Sequence, residues 1–324
     1  MFDLILGSLA PISFAFELLA LLLSFYFKHT RIFFIVLSLL LSKILYLYAS
    51  LYQVNLFLSL FLPFVFVLFV LSKKTALILE KSSFIKLGAI FFVGILALFL
   101  SKSTNFNASL SEDLFELGFF SPLSDLSAIF FMIELLFLLF WGFLRGELYF
   151  VLAFVLLFMQ FLFQKSATVS FFEFASLYFA LYLLYKSYKT VYFDPVSKLA
   201  NGKAMKRRLL GLRAYYLGIL RFEGLINLER GDKIVVLKKI GKILRRQKGV
   251  QIFHTQEDFI LVFEDEGLAK TLLKSLKEGF ENTSSWLKDK PLQLSVSTAL
   301  IRGKEDYEES ILSLQDAVSK RTTT

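Results

Sequence analysis

The 324-residue sequence contains no cysteine. That excludes disulfides, thiolate metal sites and cysteine nucleophiles, and it leaves the redox compartment open. Histidine is almost missing too: His29 and His254 are the two in the chain, which argues against a histidine-rich metal centre. Of the five prolines, Pro11 and Pro63 fall in apolar runs and are expected to bend their helices locally. Charge is scarce before Lys186, where ten Lys and Arg balance ten Asp and Glu. The N-terminus lacks the basic start of a cleavable signal peptide: Asp3 is acidic, and no small-residue cleavage site follows.

What the chain has in abundance is apolar surface. Hydrophobic residues make up 56%, phenylalanine alone contributes 40 residues, and the mean hydropathy is +0.64. This is too apolar for an ordinary soluble protein. A helix crosses a bilayer core in about 20 apolar residues, and seven stretches approach that length: Leu4–Phe27, Ile32–Ser50, Leu56–Leu71, Ile85–Leu100, Ala128–Leu144, Leu148–Phe163 and Phe171–Tyr185. Six spans is the alternative count. With seven, alternate connections collect Lys28 and Arg31, then Lys73, Lys74 and Lys81, then Arg145, then Lys186 and Lys189. The opposite connections, Tyr52–Asn55, Ser101–Ser127 and Gln164–Ser170, carry Lys102 and Lys165 against Glu112, Asp113, Glu116 and Asp125. Basic residues favour the cytoplasmic side, so residues 1–189 are expected to form an all-α membrane bundle with its N-terminus outside.

Four ionisable residues fall within these stretches: Glu17, Lys43, Glu134 and Glu173. Charge at membrane depth is costly, so each is a candidate polar site. One reading is a ligand or proton-sensing site with Lys43 paired to a glutamate. The plainer one is that Lys43 and Glu173 reach the interface while Glu17 and Glu134 make structural hydrogen bonds.

From Lys186 onward there are 26 Lys and Arg against 17 Asp and Glu, so the whole net charge of +9 lies in this part. A basic domain beside a membrane suits an anionic leaflet or anionic ligands; a solvated basic face is the ordinary alternative. The hydrophobic period also changes. Leu199–Leu212, Gly231–Arg246, Gly267–Phe280 and Tyr307–Arg321 read as helices, and Tyr215–Phe222, Val250–His254, Phe259–Phe263 and Leu292–Leu300 as strands. Stripped to its core, the order is β-α-β-β-α-β, a ferredoxin-like α+β arrangement over residues 190–324. The linker Lys186–Phe193 is short.

The run Asp194-Pro195-Val196-Ser197-Lys198-Leu199-Ala200-Asn201 resembles the opening motif of GGDEF domains, the diguanylate cyclases. Lys198 stands where that motif has glycine. Further on, Ser295-Val296-Ser297-Thr298-Ala299 and Leu314-Gln315-Asp316-Ala317-Val318 resemble the family's late strand and helix, so the likeness spans roughly Asp194–Lys320. It implies a domain that joins two GTP molecules with the help of Mg²⁺, and a hairpin turn carrying the signature residues. Here that turn reads Thr255-Gln256-Glu257-Asp258-Phe259. Both glycines are replaced, Glu257 fits the metal position, Asp258 is a shortened acid at the catalytic position, and Phe259 is kept. The second metal carboxylate is expected at the end of the first strand. Counting back from Ile226-Asn227 reaches Ile219 or Arg221, neither of them an acid, and Glu223 is expected beyond the strand end. A cation at Arg221 would repel metal. The family's product-binding clamp would place Arg246 opposite an acid, where Gly249 stands.

The expected function is therefore that of a multi-pass protein of the bacterial inner membrane, with its C-terminal domain cytoplasmic and catalytically degenerate. It would act in cyclic-di-GMP-related signalling by binding protein or nucleotide, with no cofactor. Candidate partners besides the lipid bilayer are a second copy, another GGDEF protein or a polysaccharide-export protein. Asn227, Arg245, Arg246 and Lys248 are the candidate ligand residues for cyclic-di-GMP or GTP; a helix end whose cations suit the dipole is the plainer reading of the last three. Two alternatives stay open: an active cyclase using Glu257, Mg²⁺ and GTP, and a transporter-like protein with a regulatory domain. No nucleic-acid motif accompanies the basic residues.

Overall fold

The structure, a computed structural model, describes residues 2–75, 78, 80–101, 103, 125–163, 173–212, 214–256, 258–283, 286–287, 292, 294–304 and 306–322. It divides into two units, Met1–Ser187 and Tyr188–Thr324.

The described secondary-structure elements of the N-terminal unit are all helices. Its helices are α1 (Phe2–Tyr26), α2 (Thr30–Ser42, continued by a 3₁₀ turn, Lys43–Leu47), α3 (Leu51–Leu71), α4 (Lys81–Ser101), α5 (Asp125–Arg145), α6 (Leu148–Phe163) and α7 (Glu173–Tyr192). Among the described residues, four segments are long and apolar enough to cross a membrane: Thr30–Leu47, Gln53–Leu71, Lys81–Leu100 and Asp125–Arg145. Phe14–Tyr26 and Leu148–Met159 are shorter apolar helices. Aromatic side chains fill the centre, where Phe66 and Phe131 meet Phe154 with ring centroids 5.3 and 5.4 Å apart.

Several boundaries differ from the sequence reading. Tyr52–Asn55, expected as a connection, belongs to the first turn of α3. Ser50 and Gln53 form a capping box there, each side chain bonded to the other's backbone N–H at 3.4 Å, and this starts the helix earlier than the apolar run does. Most of Lys186–Phe193, expected as a linker, continues α7 as helix to Tyr192.

The C-terminal unit carries a mixed five-stranded sheet of order β1-β3-β4-β2-β5. Its elements are β1 (Ala200–Asn201), α8 (Gly202–Leu209), β2 (Tyr216–Glu223), α9 (Arg230–Leu244), β3 (Gln251–Thr255), β4 (Asp258–Phe263), α10 (Glu266–Glu281), β5 (Ser295–Arg302) and α11 (Tyr307–Thr322). β2 lies between β4 and β5, antiparallel to both, which is the β-α-β-β-α-β order wound as a ferredoxin-like sheet. β1 adds a parallel strand to β3.

Successive residues of β2 point to opposite faces. Leu220 and Phe222 join a core with α9 and α10, whereas Leu217 and Ile219 join a second core with α8 and α11. The helix expected over Leu199–Leu212 starts only at Gly202. Asn201 caps it, its side-chain oxygen accepting from the N–H groups of Lys203 and Ala204 at 3.0 and 3.2 Å, so the residues before it are free to pair as β1. Glu223, expected past the end of its strand, is the last residue of β2, held in register opposite Ser295.

Candidate functional site at the β3–β4 turn

The turn between β3 and β4 is short because Thr255 and Asp258 already pair across the two strands. Gln256 follows Thr255 with φ of +52°, a left-handed conformation that costs a side-chain-bearing residue about 1–2 kcal/mol. Lys198, in the opening loop, has φ of +59°. These are two positions where the resemblance leads one to expect glycine. Both side chains thus sit on a left-handed backbone that glycine adopts without strain. Gln256→Gly is expected to stabilise the C-terminal unit by about 0.5–1 kcal/mol, less than the full strain because glycine is freer when unfolded. Urea unfolding followed by the emission of Trp286, which is buried in this unit, checks it.

Asp258 is 5% exposed. The pairing register sets it opposite Arg221 of β2, and the two side chains meet as a bidentate pair: Nε donates to Oδ1 and Nη2 to Oδ2, both at 2.8 Å. Such a fork-to-carboxylate contact is among the strongest hydrogen-bonded pairings in proteins. Arg221, one of the two positions where the resemblance would put a metal carboxylate, thus holds Asp258, the residue that the resemblance would put at the catalytic position. Glu223 receives a hydrogen bond from the hydroxyl of Ser297. Among the described residues, no group of three or more His, Asp or Glu could hold a metal; Glu257 lies outside the described residues. With a guanidinium at its centre, this arrangement does not fit a divalent cation.

Phe259 is fully buried. Its ring stacks on His254 at 4.5 Å and meets Phe222 edge-on at 5.5 Å. His254 has no site role in the sequence reading, because one histidine in an apolar strand gives no signal by itself. The β1–β3 register brings it against the opening motif. Its Nδ1 lies 3.2 Å from Asp194 Oδ1 and 3.1 Å from Ser197 Oγ. The same Asp194 oxygen accepts from the N–H groups of Val196 and Ser197 at 3.0 and 2.6 Å and from the Ser197 hydroxyl at 2.9 Å. Burial works to raise the Asp194 carboxyl. The Ser197 hydrogen bonds and the neighbouring imidazole outweigh it and hold the group below the usual carboxylate range. Both Ser197 Oγ and Asp194 bond one nitrogen of the imidazole, so the trio is a folded turn and lacks the relay order of a nucleophile triad.

The remaining candidates lie elsewhere. Asn227 is exposed in a 3₁₀ turn after β2. Arg245, Arg246 and Lys248 are exposed at the C-terminal end of α9, where cations suit the helix dipole. In the N-terminal unit, Lys43 Nζ lies 2.7 Å from Oε2 of Glu17, whose side chain is fully buried. Glu134 is half-buried on α5, and its Oε2 meets no hydrogen-bond partner among the described residues. Glu173 begins α7, and its side chain lies outside the described residues. The sequence reading passes over Glu147, which Arg31 and Lys74 approach at 2.7 and 2.5 Å. Two of the cations counted for membrane orientation are therefore joined to one carboxylate.

The C-terminal unit is, by its topology, an α+β domain of the ferredoxin-like kind. No family model and no curated protein matches the chain. Among solved structures it is similar to the diguanylate cyclase SiaD from Pseudomonas aeruginosa, solved with its activator SiaC, at 15% identity and a TM-score of 0.39 over 44% of this chain and 62% of that one. The FimX GGDEF domain from the same organism gives 16%, 0.35, 40% and 94% for the same measures. The coiled coil and GGDEF domain of DgcB from Caulobacter crescentus, solved with c-di-GMP, gives 16%, 0.39, 43% and 85%. The chain thus spans less than two thirds of SiaD.

Proposed function

We propose that the chain is a membrane-anchored signalling protein whose C-terminal unit is a degenerate GGDEF-like domain, acting by binding and not by turnover. Its setting would be cyclic-di-GMP-related signalling at the bacterial inner membrane, with the C-terminal unit on the cytoplasmic side. The observation that carries this reading is the bidentate Arg221–Asp258 pair. Joining two nucleoside triphosphates needs cations to neutralise phosphate charge, held by carboxylates that are free to ligate them. Here the acid next to the turn is committed to a guanidinium, and the side chain of Gln256 stands where the nucleotide would need open backbone. The apolar helices Thr30–Leu47, Gln53–Leu71, Lys81–Leu100 and Asp125–Arg145 support anchoring in a bilayer.

Full-length protein in detergent, incubated with GTP and Mg²⁺, is expected to release no cyclic dinucleotide above the level of a heat-denatured sample. Product formation that Glu257→Ala abolishes would overturn the reading in favour of an active cyclase.

A further inference from the structure

Met205 and Leu209 of α8, four residues apart, are buried in the core on one face of the sheet, so the opposite side of this helix points to water. That side carries Lys203, Lys206 and Arg207. Leu210, which follows with helical φ and ψ of −59° and −20°, extends the same face by one residue, at the i, i+3, i+4, i+7 spacing of a helical stripe. Lys206 is approached by Glu308 at 3.6 Å. Among the described residues, none pairs Lys198, Lys203 or Arg207 with a carboxylate. Amid these cations Leu210 is 72% exposed, the most exposed large apolar side chain described in the C-terminal unit. The end of α7 lies on this side of α8. The Val191 carbonyl accepts from the Asn201 side-chain amide at 2.8 Å, and the Arg207 guanidinium lies over the Tyr192 ring, 5.8 Å from its centroid. α7 is one continuous helix from Glu173. Tyr192 therefore stands about 10 Å along it from Tyr185, where the apolar stretch read from the sequence ends. Tyr188 and Tyr192, with ring centroids 4.9 Å apart, are of the aromatic kind that favours a membrane–water boundary.

We propose that the face of α8 carrying Lys203, Arg207 and Leu210 docks on the anionic phospholipid headgroups of the membrane that holds α7, with Leu210 entering the apolar margin of the leaflet. Three observations select that occupant. The first is charge. Exposed cations without carboxylate partners are attracted by an anionic leaflet, and the attraction acts within a Debye length of about 8–10 Å. The second is Leu210. A solvated basic face gains nothing from an exposed leucine at its centre, whereas a helix lying in a headgroup layer buries apolar side chains below its lysines and arginines. The third is reach. Tyr192, which Arg207 touches, is about 10 Å of helix from the apolar part of α7, so α8 meets the bilayer as a tethered group at high effective concentration. A soluble acidic partner would have to compete with that. The surplus of Lys and Arg in this part of the chain, which the sequence leaves between a solvated face and a leaflet, thereby acquires a place on the fold.

The surface rests on the reading that α7 is anchored in a bilayer, and the experiment separates the two. Full-length protein with Leu210→Cys, a unique thiol because the chain has no cysteine, is labelled with a nitrobenzoxadiazole dye. It is placed in nanodiscs of phosphatidylcholine, alone or with about one third phosphatidylglycerol. Emission is expected to rise about twofold in the anionic discs as the dye leaves water. Salt at about 1 M, where the Debye length is about 3 Å, is expected to remove the rise, and so is the double change Lys203→Gln with Arg207→Gln. A label at Leu268→Cys, on α10 across the sheet, should show none. Trp286 emission should be unchanged in the glutamine variant, and the salt arm needs no charge variant. Equal emission in the two kinds of disc would sink the proposal, as would an equal rise at Leu268 or a rise that survives both salt and the glutamines. So would a rise that polyglutamate produces in neutral discs while anionic lipid produces none, which would assign the face to an acidic protein. Protein that fails to enter the discs would overturn the anchoring and this surface with it. A docking failure in protein that does enter them leaves the anchoring standing, and with it the expectation of no GTP turnover, which rests on Arg221 and Asp258.

Discussion

Gly241→Ala is expected to destabilise the C-terminal unit by about 2–3 kcal/mol, although alanine is the better helix former. Gly241 lies in α9 where the helix crosses the opening loop, and a Cβ built there would stand 2.3 Å from the carbonyl oxygen of Ser197 and 2.9 Å from its carbonyl carbon and Cα. The obstacle is backbone, so no side chain can swing aside. Ser197 is itself fixed, fully buried and hydrogen-bonded to Asp194. Overpacking of this kind costs about 1–3 kcal/mol and occasionally more, and the intrinsic helix gain of about 1 kcal/mol offsets only part of a clash at the top of that range. Gly279 supplies the control. It lies in α10 with nothing within 4 Å of its Cβ position, so Gly279→Ala is expected to stabilise by up to about 1 kcal/mol. Urea unfolding in a Trp141→Phe background isolates Trp286 as the probe of this unit. Equal effects from the two alanines would show that the close approach of α9 to the loop is not as described.

Arg221→Ala is expected to cost about 3 kcal/mol. Removing one partner of a buried ion pair leaves an uncompensated charge, which costs about 3–5 kcal/mol when both partners are enclosed. The lower end applies because the Arg221 side chain is 30% exposed while that of Asp258 is 7% exposed, so water reaches the pair from the arginine side. Replacing both partners by apolar residues of similar size, Arg221→Met with Asp258→Leu, is expected to restore most of the loss. The same urea series on wild type, both single variants and the double variant gives the coupling directly. Additive single effects would mean that the pair contributes little and that Asp258 is available for other work. That outcome would also weaken the case against catalysis. Arg221→Ala incubated with GTP and Mg²⁺ then becomes informative: the binding reading expects no product from it, whereas an active cyclase relieved of the competing cation would gain turnover.

Much of the architecture is legible residue by residue. Apolar runs announce the helices of the N-terminal unit, since a run such as Leu148–Phe163 is terminated by what flanks it. The short apolar run YYLGILRF, which reads as a buried strand, announces β2. The start of α3 is also written locally, as serine and glutamine three residues apart at Ser50 and Gln53, a capping pattern that takes precedence over hydropathy at a helix end. Other features carry no local mark. His254 reads as one more strand residue, and Glu147 as one acid between two helices. Their partners are 57 and 60 residues away in one case, and 116 and 73 in the other.

By itself, the sequence determined which segments are helix and strand, that the chain joins an apolar helical part to a basic α+β part, and that the turn at Thr255–Phe259 carries no glycine. These are properties of neighbours along the chain, where side-chain period, caps and turn chemistry act over a few residues. Only the tertiary structure decided what the changed residues do. The strand register sets Arg221 against Asp258 across 37 residues, so two residues that read separately along the sequence become one ion pair. The sheet order likewise leaves β5 outermost beside a lysine-lined helix. Both outcomes depend on which strands lie side by side, and that is settled by burying two faces of one sheet at once, a global constraint that no short stretch of sequence contains.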